Sequence, residues 1–359
     1  MERKHGGDIY QVARETGKKL EAIIDFSANI NPLGYSSRVK KAFAGIEDLI
    51  INYPDREARD FIDALSAHHN FSADNFLGGS GATEFVHFFP AIIRPKSVLV
   101  VAPTFTEYEY SYQRAKGVIF YFNTLEKDNF VLQKKQLLEE LKRGYSALYI
   151  CNPANPTGAL ISADTMEEIV TYACKKGTNV IIDETYMDMV EKHSMKKLVK
   201  NFDNLFILRS MTNFFALPGL RSGYLISHAK NIEKIREKQM PWSMNAVAQC
   251  AAVESLNDHA YIQKSIKYIA EAGSALAAEL KPISSLTLFK SNVNYFLLKL
   301  QASARLTATD LNEKLLAKGI MIRTCEDFQG LDESFFRIAI KKKNENKKLV
   351  TELKKILTK

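Results

Sequence analysis

The sequence predicts an α/β protein with a mainly parallel central sheet, joined to a smaller α+β domain. Three observations carry this. Short apolar runs rich in β-branched and aromatic residues recur at 97–101, 118–122, 147–150, 179–182, 205–208 and 224–226, each the length of a buried strand. Amphipathic stretches separate several of them, the alternation of a parallel sheet covered by helices. Polar residues gather just after three successive runs, where open α/β sheets collect ligands.

Taken along the chain, a glycine-rich segment, Gly78-Gly79-Ser80-Gly81-Ala82-Thr83-Glu84, precedes an apolar helical run from Phe85. The runs at 97–101 and 118–122 then supply the first two strands of the sheet. After the third strand comes Asn152-Pro153-Ala154-Asn155-Pro156-Thr157-Gly158, a turn-forming segment, and after that a helical pattern over 163–176. Asp183 ends the fourth run and Ser210 the fifth. A long, mostly helical stretch runs from about 231 towards 280, and Pro241 interrupts it. Beyond it, 293–300, 321–323 and 336–340 read as strands, and 311–318 and 347–357 as helices. The expected division is a large domain over 46–255 and a small one formed by 1–45 with 256–359.

Bulk properties exclude several classes. A chain of 359 residues, 46% hydrophobic and 25% charged, buries a sizeable core and is not disordered. Its formal charge of +8 raises nucleic acid as a partner, but the basic residues are scattered. The clusters Lys341-Lys342-Lys343 and Lys347-Lys348 suit the solvated face of a helix, so no nucleic-acid partner is expected. Cys151, Cys174, Cys250 and Cys325 are too dispersed for a paired metal motif and read as reduced thiols. No metal is expected. The N-terminal Met1-Glu2-Arg3-Lys4-His5 has no apolar signal region and no run reaches spanning length. The expectation is a cytoplasmic protein with no membrane partner.

The polar motifs carry chemistry. Glycines before a helix N-terminus let an anion approach free N–H groups and a favourable dipole. Arg221, in Pro218-Gly219-Leu220-Arg221, offers bidentate phosphate binding. Asp183, at the end of an apolar run, is costly to bury without a partner and caps helices well otherwise.

In order, the glycine-rich loop, Pro103-Thr104-Phe105, Asn152 to Gly158, Asp183-Glu184-Thr185-Tyr186 and Ser210 to Tyr224 resemble fold-type-I pyridoxal-phosphate enzymes of the class I/II aminotransferase group. These share the aspartate-aminotransferase fold. Within the group the chain is most similar to threonine-phosphate decarboxylases of cobalamin biosynthesis, with histidinol-phosphate aminotransferases as close relatives. His5-Gly6-Gly7-Asp8, Asp25 to Gly34 and Ile322-Arg323-Thr324-Cys325 carry that finer likeness.

The resemblance implies pyridoxal 5'-phosphate as cofactor and assigns its contacts. Gly81, Ala82, Thr83, Ser210, Thr212 and Arg221 would hold the phosphate; Asp183 would pair with the pyridine nitrogen. Tyr186 and Asn155 would bond the 3'-oxygen, and Phe105 would stack on the ring. Tyr53 would reach the phosphate of a neighbouring subunit, implying a homodimer. Arg337 would take the carboxylate of a phosphorylated amino-acid substrate, Arg323 and His5 its phosphate, and Asn31 would lie in a loop closing over it. The departure is Asn213. In Ser210-Met211-Thr212-Asn213-Phe214 it stands where the family has its Schiff-base lysine, which also moves the proton at Cα.

Three readings follow. The chain is a decarboxylase of L-threonine O-3-phosphate or L-serine O-phosphate that makes the amino-alcohol phosphate, with its activity impaired by an Asn placed there by design or divergence. Alternatively it is a histidinol-phosphate-type aminotransferase with the same change, or a non-catalytic homologue that binds the cofactor.

Overall fold

A computed structural model describes residues 5–93 and 96–357. Its centre is a seven-stranded sheet. From one edge to the other its strands are Phe76–Gly79, Gly223–Ser227, Leu205–Ser210, Asn179–Asp183, Ala147–Cys151, Ser97–Ala102 and Val118–Asn123. The last five run parallel, while Gly223–Ser227 is antiparallel to both of its neighbours. All six expected strands are present. The seventh, Phe76–Gly79, carries two glycines in four residues and lacks a β-branched run, so its sequence reads as loop.

Apart from the half-buried edge strand Val118–Asn123, the sheet is buried on both faces. Ile150, Ile182, Ile207 and Ile226 join one apolar cluster with helices such as Arg59–His69 and Ala246–Leu256. Tyr149, Ile181, Leu208 and Leu225 join a second with helix Ala82–Ile93. This explains why the strands are continuously apolar and do not alternate. Helix Ala163–Lys175 starts where the Ser162 side chain accepts the Thr165 N–H, as the Pro156-Thr157-Gly158 punctuation suggests.

The helical stretch after 231 is three helices, Ala229–Arg236, Ala246–Leu256 and His259–Leu280. The first break contains Pro241 and ends at Asn245, whose side chain caps the second helix. The long third helix contributes Ile269 to the large-sheet core and Leu276 to a separate cluster. That cluster packs a four-stranded antiparallel sheet, ordered Arg323–Thr324, Phe335–Ala339, Tyr295–Leu300, Leu286–Leu288, against helices Ala308–Ala317 and Lys343–Leu357. Strand Ile24–Asp25 pairs in parallel with Ile320–Met321 and draws Phe26 into the same core. The N-terminal segment is thereby led across the carboxyl ends of the large sheet. Among the described residues no helix is long and apolar enough to cross a membrane.

Candidate active site

A cavity of about 730 Å³ opens where the parallel strands end. Strand Ala147–Cys151 leads to Asn155, Asn179–Asp183 delivers Asp183 and Tyr186, and Leu205–Ser210 delivers Ser210, Thr212 and Asn213. Helix Ala82–Ile93 brings Ala82 and Thr83 at its N-terminus, and the Ser97–Ala102 strand leads to Phe105. Arg323 and Arg337 enter from the four-stranded sheet, and His5 from the N-terminal segment.

Asp183 is buried, and each carboxylate oxygen is engaged. The Tyr108 hydroxyl donates to Oδ2 at 2.6 Å and the Thr185 N–H to Oδ1 at 2.8 Å. Burial pushes its carboxyl above the usual range, and the Thr185 and Tyr108 bonds oppose that rise. Tyr108 itself is clamped, its ring stacked 4.3 Å from that of Tyr149. The Tyr186 hydroxyl, pushed up to about 12 by burial, accepts from Asn29 Nδ2 at 2.9 Å.

The helix-terminal cup depends on two glycines. Gly81 has φ +82, and a Cβ there would lie 2.9 Å from Arg221 Nη2. At Gly223 a Cβ would meet the Ala82 nitrogen at 2.5 Å, so only glycine lets that strand back against the loop. The helix begins at Ala82, three residues earlier than the apolar run suggested. Arg221 donates to the Pro218 carbonyl at 3.2 Å, and Ser210 Oγ accepts the Thr212 N–H at 3.1 Å.

Arg337 is buried and donates to Asn155 Oδ1 and, at 2.6 Å, to the Ser27 carbonyl. Its Nε is buried without a partner, and among the described residues no carboxylate pairs with it. Burying a cation in that state is costly unless an anion reaches it. Arg323 differs: it bonds Asp327 at 2.7 Å and lies over the Phe328 ring.

The family model for aminotransferase class I and II matches residues 21–353. The chain belongs to that family. It is 33% identical to threonine-phosphate decarboxylase of Salmonella typhimurium, over 99% of this chain and 96% of that protein. The fold matches histidinol-phosphate aminotransferase from Clostridium acetobutylicum with TM-score 0.85 and 30% identity, over 93% of this chain and 98% of that one. It also matches the Sinorhizobium meliloti histidinol-phosphate aminotransferase, solved with pyridoxal-5'-phosphate, at TM-score 0.84 and 20% identity, over 98% and 95%. The cofactor of this aminotransferase family is pyridoxal 5'-phosphate.

Most of the residues that family likeness singles out meet in the one cavity. Gly81 does not line it but shapes the cup behind Arg221. Tyr53 stands outside, 81% exposed, with its ring 4.7 Å from that of Trp242. Asn31, expected in a loop closing over substrate, is not among the residues that line the cavity. It is buried, and its Nδ2 bonds the Phe214 carbonyl, Tyr261 and Ser265 at 2.9–3.0 Å. Its N–H donates to the Asn213 carbonyl at 2.9 Å. With its polar atoms so committed, Asn31 braces the backbone at 213 from behind and does not line the cavity. Among the described residues that line the cavity there is no lysine.

Tyr108 lies outside the motifs, while Ser27 and Asn29 lie within the Asp25 to Gly34 segment without a role assigned to either. Tyr108 lies in helix Glu107–Arg114, which begins after Phe105.

Proposed function

We propose that this chain binds pyridoxal 5'-phosphate without a covalent bond and recognises a phosphorylated α-amino acid, L-threonine O-3-phosphate or L-serine O-phosphate. Its reaction type is decarboxylation to the amino-alcohol phosphate used in cobamide synthesis, strongly impaired by Asn213. The carrying observation is Arg337: a buried cation with no carboxylate partner among the described residues, lining the same cavity as Asp183 and the Ala82 helix terminus.

The residues present fit the cofactor in all but its covalent link. The Ala82–Thr83 terminus, Ser210, Thr212 and Arg221 suit a phosphate, Asp183 a pyridine nitrogen, Asn155 and Tyr186 a phenolic oxygen, and Phe105 a ring face. Bound here, pyridoxal phosphate supplies an electron sink for the bond pair left when a carboxylate departs as carbon dioxide. Asp183, its two carboxylate oxygens held by Tyr108 and Thr185, would face the ring nitrogen and hold its proton. Arg337 orients the carboxylate. Asn213 has neither an amine to attach the cofactor nor a titratable proton to return to Cα.

Borohydride treatment of the cofactor-loaded protein, followed by mass spectrometry, is expected to leave the chain mass unchanged. An adduct on any residue near 213 overturns the non-covalent reading. Tyr108→Phe is expected to weaken cofactor affinity by about tenfold, the worth of a hydrogen bond to a buried charge. Fluorescence titration with pyridoxal phosphate measures it, and unchanged affinity removes Tyr108 from the assignment.

The second reading, an aminotransferase of a phosphorylated amine, has the Clostridium structure in its favour. For the homodimer, the support is the exposure of Ile50, Ile51, Tyr53, Met240 and Trp242 on this family's scaffold. Sedimentation is expected to give twice the chain mass; a monomer at micromolar concentration refutes it.

A further inference from the structure

Glu107 is the first residue of helix Glu107–Arg114, two positions after Phe105, and its side chain is 5% exposed. Its two oxygens face two imidazoles. Oε1 lies 3.0 Å from His5 Nε2 and Oε2 lies 2.8 Å from His87 Nε2. His87 belongs to helix Ala82–Ile93, whose first residues line the cavity. A bond between Glu107 and His87 alone ties the two neighbouring helices together. The second oxygen does something packing does not require: it reaches 102 residues back to a half-exposed side chain that lines the cavity mouth.

A carboxylate only accepts, so the His5 ring must donate from Nε2. That fixes the ring's identity as well as its place and leaves Nδ1 as the nitrogen available to a ligand. An oxyanion at that edge meets a ring already held by Glu107 on its other side. The fixing matters because the described part of this segment is lightly packed. Helix Ile9–Thr16 buries none of its residues. Among the described residues, the Gly7 N–H donates to Ser27 Oγ at 2.8 Å, and Gly6 sits close on the Ser27 carbonyl, where a Cβ would come within 2.3 Å. The His5 ring also lies 5.9 Å from the Phe105 ring, and Arg323 lines the same cavity.

We propose that Glu107 is the positioning residue of a phosphate-recognition subsite, holding His5 at the cavity mouth so that a substrate phosphate meets a fixed imidazole together with Arg323. This rests on the phosphorylated-substrate reading above. The test is calorimetric titration of the cofactor-loaded protein with L-threonine O-3-phosphate and, separately, with L-threonine. The parent is expected to prefer the phosphorylated ligand. Glu107→Gln, which replaces one acceptor by a donor, is expected to lower affinity for it by about tenfold while leaving L-threonine and pyridoxal phosphate affinity unchanged. His5→Gln is expected to show the same selective loss, and the double variant no further loss.

A parent that fails to prefer the phosphorylated ligand refutes the substrate reading itself. A parent that does prefer it, with Glu107→Gln retaining that preference or losing all three affinities alike, overturns the role of Glu107 and leaves the substrate reading standing. His5→Gln replaces a half-exposed side chain and leaves the Glu107 carboxylate in place, so it decides the matter even where Glu107→Gln fails to fold: full preference in that variant overturns the proposal.

Discussion

Asn213→Lys is expected to raise carbon dioxide release from L-threonine O-3-phosphate by at least about 100-fold over the parent, the lower range of what a positioned acid–base group contributes. The position is prepared for it. The 213 carbonyl is fixed by the Asn31 N–H, and the next carbonyl, that of Phe214, accepts from Asn31 Nδ2 and the Tyr261 hydroxyl. A side chain at 213 therefore starts from a backbone held on its far side, between Ser210 and Arg221, and enters a cavity of about 730 Å³. The new amine restores two things together, covalent attachment and a proton donor at Cα, so both readouts must change. Borohydride is expected to fix one cofactor per chain at residue 213, and the amino-alcohol phosphate to accumulate. Attachment with amino transfer to 2-oxoglutarate and no carbon dioxide decides for the aminotransferase reading. A lysine that attaches nothing removes position 213 from the site.

The parallel sheet and the residues at its rim were legible because both follow from local pattern. A buried strand needs a continuous apolar run, and a polar residue at its end stands out, as Asp183 and Ser210 do. What was hidden depends on distant partners. Asn29 meets Tyr186 across 157 residues, and Arg337 meets the Ser27 carbonyl across 310. Neither pairing leaves a mark on the sequence near either partner. Asn31 depends on distant partners for its placement in the same way. It sits two residues from the cavity-lining Asn29, but its side chain is turned into the Phe214 carbonyl and the His259–Leu280 helix. Phe76–Gly79 was missed because pairing with Gly223–Ser227, and not its own side chains, makes it a strand.

Arg209→Met is expected to destabilise the protein by about 3–5 kcal/mol, the usual cost of removing one partner from a buried ion network. Successive strand residues face opposite sides. Arg209, just before Ser210, and Glu184, just after Asp183, therefore lie on the face of the sheet away from those cavity residues. Arg209 is fully buried and reaches Glu184 at 2.9 Å, Glu191 at 2.7 Å and Asp188 at 3.5 Å. Glu191 and Glu184 outweigh burial and hold its guanidinium more firmly protonated than a free arginine. In return Arg209 restrains carboxyls that burial pushes up: Glu184 is raised, Asp188 reaches about 7, and at Glu191 the guanidinium, His69 and Lys196 reverse the rise. Without the cation all three carboxyls move higher in the folded state. A raised folded value favours folding below the unfolded value near 4 and loses that contribution as pH rises through the folded one. The deficit of Arg209→Met is thus expected to be smaller at pH 5 than at pH 8. Urea unfolding of parent and variant at both pH values measures it; a difference under about 1 kcal/mol, or one flat with pH, refutes the account. Because the lost bonds tie the ends of the strands bearing Asp183 and Ser210, pyridoxal phosphate affinity is expected to fall in the folded variant as well, coupling the charge layer beneath the sheet to the cavity above it.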